Sequence, residues 1–245
     1  MTADLTLHTL GLVWLGAFVG AVAAGAAGFA LGLAASAIWL HVLDPLHNTI
    51  LIVGCGFVLH VGLIWRLRGS IDVPRLWPFV VGGLIGVPLG VLLLTRVDAA
   101  SVRMALGVFM LCYGVFAFAA PRLPVIAGGG RAADGVVGFA AGILGGLGGY
   151  NGVLPAIWTQ LRGWPKDTAR AVYQPFILAT HVAILVCLGI VAMDRLGLIL
   201  LVAALPALLI GAWVGWKIYG RLDERRFRQV LSALLVVSGL TLVLS

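Results

Sequence analysis

The stretch Ala141-Gly142-Ile143-Leu144-Gly145-Gly146-Leu147-Gly148-Gly149-Tyr150-Asn151-Gly152-Val153-Leu154-Pro155 decides how this chain folds. Six glycines and a proline interrupt an apolar run, Tyr150 and Asn151 are its polar side chains, and no charge occurs from Gly135 to Leu161. Glycine weakens a helix by roughly 1 kcal/mol relative to alanine. In hydrocarbon, every backbone group so released must find another partner, and irregular backbone survives there only when buried in protein or lining a cavity. A plain spanning helix has no use for this composition. The stretch reads as part of a site.

The surrounding chain supplies the membrane. Of 245 residues, 62% are hydrophobic and 10% charged, and the mean hydropathy is +1.12. Soluble domains carry roughly 25% charged residues. The apolar runs are long and continuous, whereas an outer-membrane barrel needs segments of about ten residues with alternating polarity. An all-α polytopic membrane protein follows. The net charge of +7 sits in short loops, which fits membrane topology and gives no reason to expect a nucleic-acid partner. Cys55, Cys112 and Cys187 all lie in apolar segments and suggest no disulfide framework. The start Met1-Thr2-Ala3-Asp4 lacks the basic region of a cleavable signal peptide. No nucleophile elbow, zinc helix or P-loop is present, so an enzyme is not expected, nor a cofactor or metal site.

Most apolar runs suit one crossing of about 20 residues. The runs at 5–43 and 135–161 do not, and both hold glycine clusters. They are also related. A shift of 120 carries Gly25, Gly28 and Gly32 onto Gly145, Gly148 and Gly152, and Pro45 onto Pro165. After one inserted residue His60 falls on His181, and Asp72 and Asp194 each open the next crossing. A shift of 125 then carries Gly86 and Gly90 onto Gly211 and Gly215, and Asp98 onto Asp223. We read one transmembrane domain, 1–245, with repeat 1 at about 5–120, a linker at about 121–134 and repeat 2 at about 135–245.

Charge chooses the topology. If each long run crosses once, Lys and Arg divide ten to six between the two sides. If each is a hairpin returning to its starting side, the loops near 70, 127, 166 and 223 share thirteen cations, and Arg96, Arg103 and Arg195 alone lie opposite. The second scheme obeys the positive-inside rule far better. Each repeat is then a glycine-rich broken or re-entrant helical hairpin followed by three spanning helices. The repeats have inverted topology, and both termini are extracytoplasmic. Inverted repeats with interrupted helices are the plan of secondary transporters, with substrate held near the midplane.

The glycine-rich opening of each half, the turn Arg68-Gly69-Ser70-Ile71-Asp72, the segment Leu205-Pro206-Ala207-Leu208-Leu209-Ile210-Gly211-Ala212-Trp213-Val214-Gly215 and the run Leu222-Asp223-Glu224-Arg225-Arg226-Phe227-Arg228 together resemble the sulfite exporter TauE/SafE family. The resemblance covers nearly the whole chain. It implies an inner (plasma) membrane permease for a small sulfur-containing anion such as sulfite or an organosulfonate, with export implied by the family name. A passive anion channel and a non-transporting scaffold subunit are the rival readings.

The candidate substrate-binding residues are Gly25, Gly28, Gly145, Gly148 and Gly149, whose backbone an anion can approach, with Ser36, Tyr150, Asn151, Gln174 and His181. Free N–H groups and the positive end of the helix dipole at two midplane helix starts suit an anion. Small residues also serve close helix packing, Asn151 also suits a turn beside Gly152, and Tyr150 also suits packing. His60 and His181 occupy equivalent places within crossings, where ionisable groups are functional hypotheses by default. Proton coupling or hydrogen bonding between helices would each explain them. The partners expected are a small anion and the lipid bilayer. Nothing in the sequence sets the oligomeric state, and a homo-oligomer is allowed.

Overall fold

The computed structural model describes residues 6–67, 71–119, 125–126, 128–192, 194–218 and 224–244. The turn at 68–70, the linker prolines Pro121 and Pro124, and residues 221–223 of the basic run lie outside the described residues. The described chain is all helix: α1 (Leu7–Ala27), α2 (Leu31–Trp39), α3 (Pro45–Leu67), α4 (Val73–Arg96), α5 (Ala99–Ala119), α6 (Gly130–Gly148), α7 (Val153–Leu161), α8 (Lys166–Val191), α9 (Arg195–Ile218) and α10 (Glu224–Leu244). Among the described residues, α1, α3, α4, α5, α8 and α9 are long and apolar enough to cross a membrane. Their outer faces expose Leu84, Ile85, Val202, Leu209 and Trp213 among many large apolar side chains, as contact with lipid requires. In α10 the apolar part is Gln229–Leu244.

Aspartate punctuates this order. The carboxylates of Asp44, Asp72, Asp98 and Asp194 accept from the backbone N–H groups of His47, Arg75, Ser101 and Gly197, satisfying a donor in the first turn of α3, α4, α5 and α9. Asp72 and Asp194 therefore do open crossings. The linker is shorter than the composition suggests, because α6 begins at Gly130 and takes in Arg131 and Asp134. Asp134 is buried there and accepts from Trp158 Nε1 at 2.7 Å, so its polarity is used inside the helix pair.

Both long apolar runs fold as hairpins with one long and one short arm. α1 ends at Gly28 and α6 at Gly149, each with a left-handed backbone (φ 83° and 78°) that glycine adopts without strain. The short arms α2 and α7 run back along their long arms. Trp39 Nε1 donates to the Val13 carbonyl at 3.1 Å, and Trp158 is held by Asp134 as described. A nine-residue arm rises only about 14 Å, less than half of a bilayer core.

The two halves share the helix order, but the register differs from that read in the sequence. Gly28 corresponds to Gly149, 121 positions on, rather than to Gly148. Packing fixes this. A Cβ on Gly211 would meet the Phe18 carbonyl at 2.5 Å, and one on Gly86 would strike the carbonyl of Phe139, the residue 121 positions after Phe18. Likewise Gly25 faces Gly215 while Gly146 faces Gly90. The inserted residue therefore lies before the second tip, not after Pro165. α4 packs along α6 as α1 packs along α9, and α3 meets α8 and α5 meets α10.

The loops gather at two ends. Asp44, His47 and Asp194 meet at one end of α3, and His41 bonds Ser238 of α10 at 3.0 Å nearby. Asp72, Arg75, Arg131, Arg162 and Trp164 line a common pocket beyond the other end of α3. His47 Nδ1 lies 2.5 Å from Asp44 Oδ2, and Nε2 lies 3.1 Å from Asp194 Oδ2. An imidazole can donate to carboxylates from both nitrogens only as the imidazolium. Burial alone raises the Asp44 carboxyl, but hydrogen bonds from the His47 ring and backbone prevail and hold it below its ordinary 3.8. A lowered carboxyl stabilises the fold fully above that ordinary value, and the contribution is lost as pH falls through the lowered one.

Candidate functional site

The hairpin tips meet inside the bundle. A Cβ on Gly32 would lie 2.9 Å from the Gly149 carbonyl, and one on Gly152 would lie 2.8 Å from Phe29 Cβ. Ile52 of α3 packs against both Gly32 and Gly149. Ala30 stands at the N-cap of α2 and Gly152 at that of α7, and neither start has a side-chain cap. Two short helices thus present uncapped first turns, the positive ends of their dipoles, at one buried junction.

The side chains around this junction are polar and buried, and three of them carry an atom without a partner. On one flank, Asn48 Nδ2 donates to Ser36 Oγ at 3.3 Å, and Asn48 Oδ1 has no partner. The Tyr150 ring stacks on Phe109 with centroids 5.3 Å apart. Its hydroxyl approaches Ser36 but forms no hydrogen bond of good geometry. On the other flank, Gln174 and Tyr173 of α8 reach Gly28: a Cβ there would lie 2.8 Å from Gln174 Nε2 and 2.9 Å from Tyr173 Oη. Gln174 Oε1 is buried without a partner. An orphaned buried polar atom costs about 1–3 kcal/mol, so the three on Asn48, Tyr150 and Gln174 near one junction call for a ligand or water to satisfy them.

His60 of α3 and His181 of α8 meet edge to face, with ring centroids 5.6 Å apart. His60 Nδ1 donates to the Gly56 carbonyl at 2.7 Å, while His60 Nε2 and both His181 nitrogens have no partner. The His181 ring lies directly over Gly56, where a Cβ would collide with it. The backbone of Gly28 lies beside His60. The two equivalent histidines therefore form one pair where the halves join. Asp134 is the one Asp, Glu, Lys or Arg buried among the described residues, and it is engaged by Trp158 near the start of α6, away from the tips. A proton on the pair would have no buried carboxylate beside it.

The other candidates fall on the rim or outside. Asn151 Nδ2 donates to Thr180 Oγ1 at 2.6 Å and to the Ile177 carbonyl at 3.3 Å, which ties the second tip to α8. Thr180 keeps a bond to the Phe176 carbonyl, so Asn151→Ala should cost about 1 kcal/mol and lower the melting temperature by about 3 °C; a calorimetric or fluorescence melt checks this. Gly145 faces Asn151, and Gly148 faces Tyr150 and Leu106, both within the hairpin packing. Gly25 points away from the tips, against Gly215. Sequence reasoning passed over Asn48 and Thr180. Asn48 carried a usable signal, an amide four residues into an apolar crossing.

A family model described as sulfite exporter TauE/SafE matches residues 12–242. No match was found among curated proteins or among solved structures.

Proposed function

The chain belongs to the sulfite exporter TauE/SafE family, and on that premise we propose that it is a secondary transporter of a small sulfur-containing anion, sulfite or an organosulfonate. The observation that carries the proposal is the junction of two uncapped helix starts with unpartnered polar atoms on Tyr150, Asn48, Gln174 and His181. Backbone N–H groups of α2 and α7 and the Tyr150 hydroxyl would donate to the anion's oxygens. Hydrogen bonds to a charged group contribute about 1.5–3 kcal/mol each, so a few donors suffice for micromolar to millimolar affinity. A protonated histidine pair would supply the positive charge, which links anion binding to proton binding. The halves act as inverted repeats that rock against each other. Matched contacts of α1 with α9 and of α6 with α4 support that reading, as do hairpins entering from the two ends.

Proteoliposomes decide it. Sulfite movement should exceed its electrochemical equilibrium under a pH gradient and collapse when a proton ionophore is added. Movement only down the gradient would make the protein a channel, and no movement of sulfite, sulfonate or thiosulfate would favour a scaffold. Tyr150→Phe refines the test. It keeps the stack on Phe109 and removes only an orphaned hydroxyl. The melting temperature should hold or rise, while anion affinity falls about tenfold. Unchanged affinity would place Tyr150 outside the anion site.

A further inference from the structure

A basic pocket lies apart from the junction, at the arginine-rich end. The pocket there has a volume of about 410 Å³ and is lined by Arg75, Arg131, Arg162 and Trp164 together with Asp72 and Asp134. It lies between the start of α4 in one half and, in the other, the start of α6 and the turn that follows α7. The Arg75 guanidinium lies 5.0 Å from the Trp164 ring centroid and that of Arg162 5.8 Å, so one indole gathers two cations. The carboxylates are already used: Asp72 pairs with Arg75 at 3.4 Å and caps α4, and Asp134 accepts from Trp158. Three guanidiniums against two engaged carboxylates leave the pocket positive. The start of α6 adds its dipole, since Gly129 provides no side-chain cap.

Exposed apolar side chains flank the pocket in sequence on both helices. Val73 and Trp77 on α4 and Val136 on α6 are exposed large side chains within two residues of pocket-lining positions. An occupant here can place a phosphate among the arginines and its chains along these apolar faces. Arginine binds phosphate oxygens through a planar fork, and basic pockets between membrane helices suit anionic headgroups. We infer that this pocket binds the phosphodiester headgroup of an anionic phospholipid and so bridges α4 of the first half to α6 and α7 of the second. The inference stands whether or not the junction carries sulfite.

The test uses the full chain in nanodiscs of phosphatidylcholine with and without phosphatidylglycerol, followed by thermal melts. Phosphatidylglycerol should raise the melting temperature by about 5 °C. The double variant Arg75→Gln, Arg162→Gln should lose that rise while melting near the wild type in phosphatidylcholine alone. Arg96→Gln, at the other end, should keep it. A rise that persists in the double variant, or no rise in the wild type, overturns the inference. Inorganic phosphate reproducing the rise in phosphatidylcholine discs would assign the pocket to a soluble anion and overturn the lipid assignment.

Discussion

Replacing Gly86 by valine is expected to remove folded protein altogether. The Cβ would strike the Phe139 carbonyl and lie 3.1 Å from the Ile143 N–H nitrogen, so it meets backbone rather than a side chain that could turn aside. The same approach is made along the whole contact. Gly82 faces the Gly135 carbonyl, Gly138 that of Phe79, Gly142 that of Gly83 and Gly146 that of Val87. Such seams hold membrane helices together by van der Waals contact, since lipid offers no hydrophobic drive between them. Overpacking ordinarily costs about 1–3 kcal/mol. Here the whole α4–α6 seam must part, so the cost should exceed about 3 kcal/mol, a large share of a marginal stability. Gly62, with open space around its Cβ position, is the control, and Gly62→Ala should melt at or above the wild type. Size-exclusion profiles in detergent read the result. A monodisperse Gly86→Val protein with a wild-type melt would show that the helices do not approach this closely.

Loss of transport without loss of fold is expected from His181→Phe. Phenylalanine keeps the edge-to-face contact with His60 over Gly56 and carries no proton. Because three of the four ring nitrogens are unpartnered, few hydrogen bonds are sacrificed. Sulfite transport should fall at least tenfold, about 1.4 kcal/mol of coupling, and its dependence on pH should flatten. The sign follows from the surroundings. A buried proton with no carboxylate beside it is stabilised by the anion, so affinity in the wild type should rise as pH falls. If His181→Phe transports as the wild type with the same pH profile, the pair is a packing contact. His181→Gln separates polarity from charge, and should restore at most part of the rate.

Much of the architecture was legible because it is written in composition. Glycine where a span needs none marked both hairpins, and the lopsided placement of arginine argued that each turns back rather than crossing once. The register of the tips was not legible to the residue. Glycines at 145, 146, 148 and 149 offer several alignments with 25 and 28, and only contacts such as Gly86 on Phe139 select one. The candidate site was half legible. His60 and His181 stood out as ionisable residues at matching depth, but their contact across the halves depends on the crossing of α3 with α8. Asn151 looked the same whether it held an anion or Thr180, because a side-chain amide suits both. Asp134 looked like a loop residue until its bond to Trp158 placed it inside a helix pair.

The carboxylate–imidazolium–carboxylate clasp of Asp44, His47 and Asp194 has no twin. Under the offset of 121, Asp44 falls on Pro165 and His47 on Thr168, and Asp72, which caps α4 as Asp194 caps α9, pairs with Arg75 of its own helix instead. The fold is therefore nearly symmetric while its fastenings are not. One end is locked by charges drawn from both halves and the other holds an open basic pocket. His47 and Asp194 come from different halves, so separating the halves at this end separates their charges. Parting the halves at one end therefore costs an ion pair that parting them at the other does not, and that difference hangs on a single histidine.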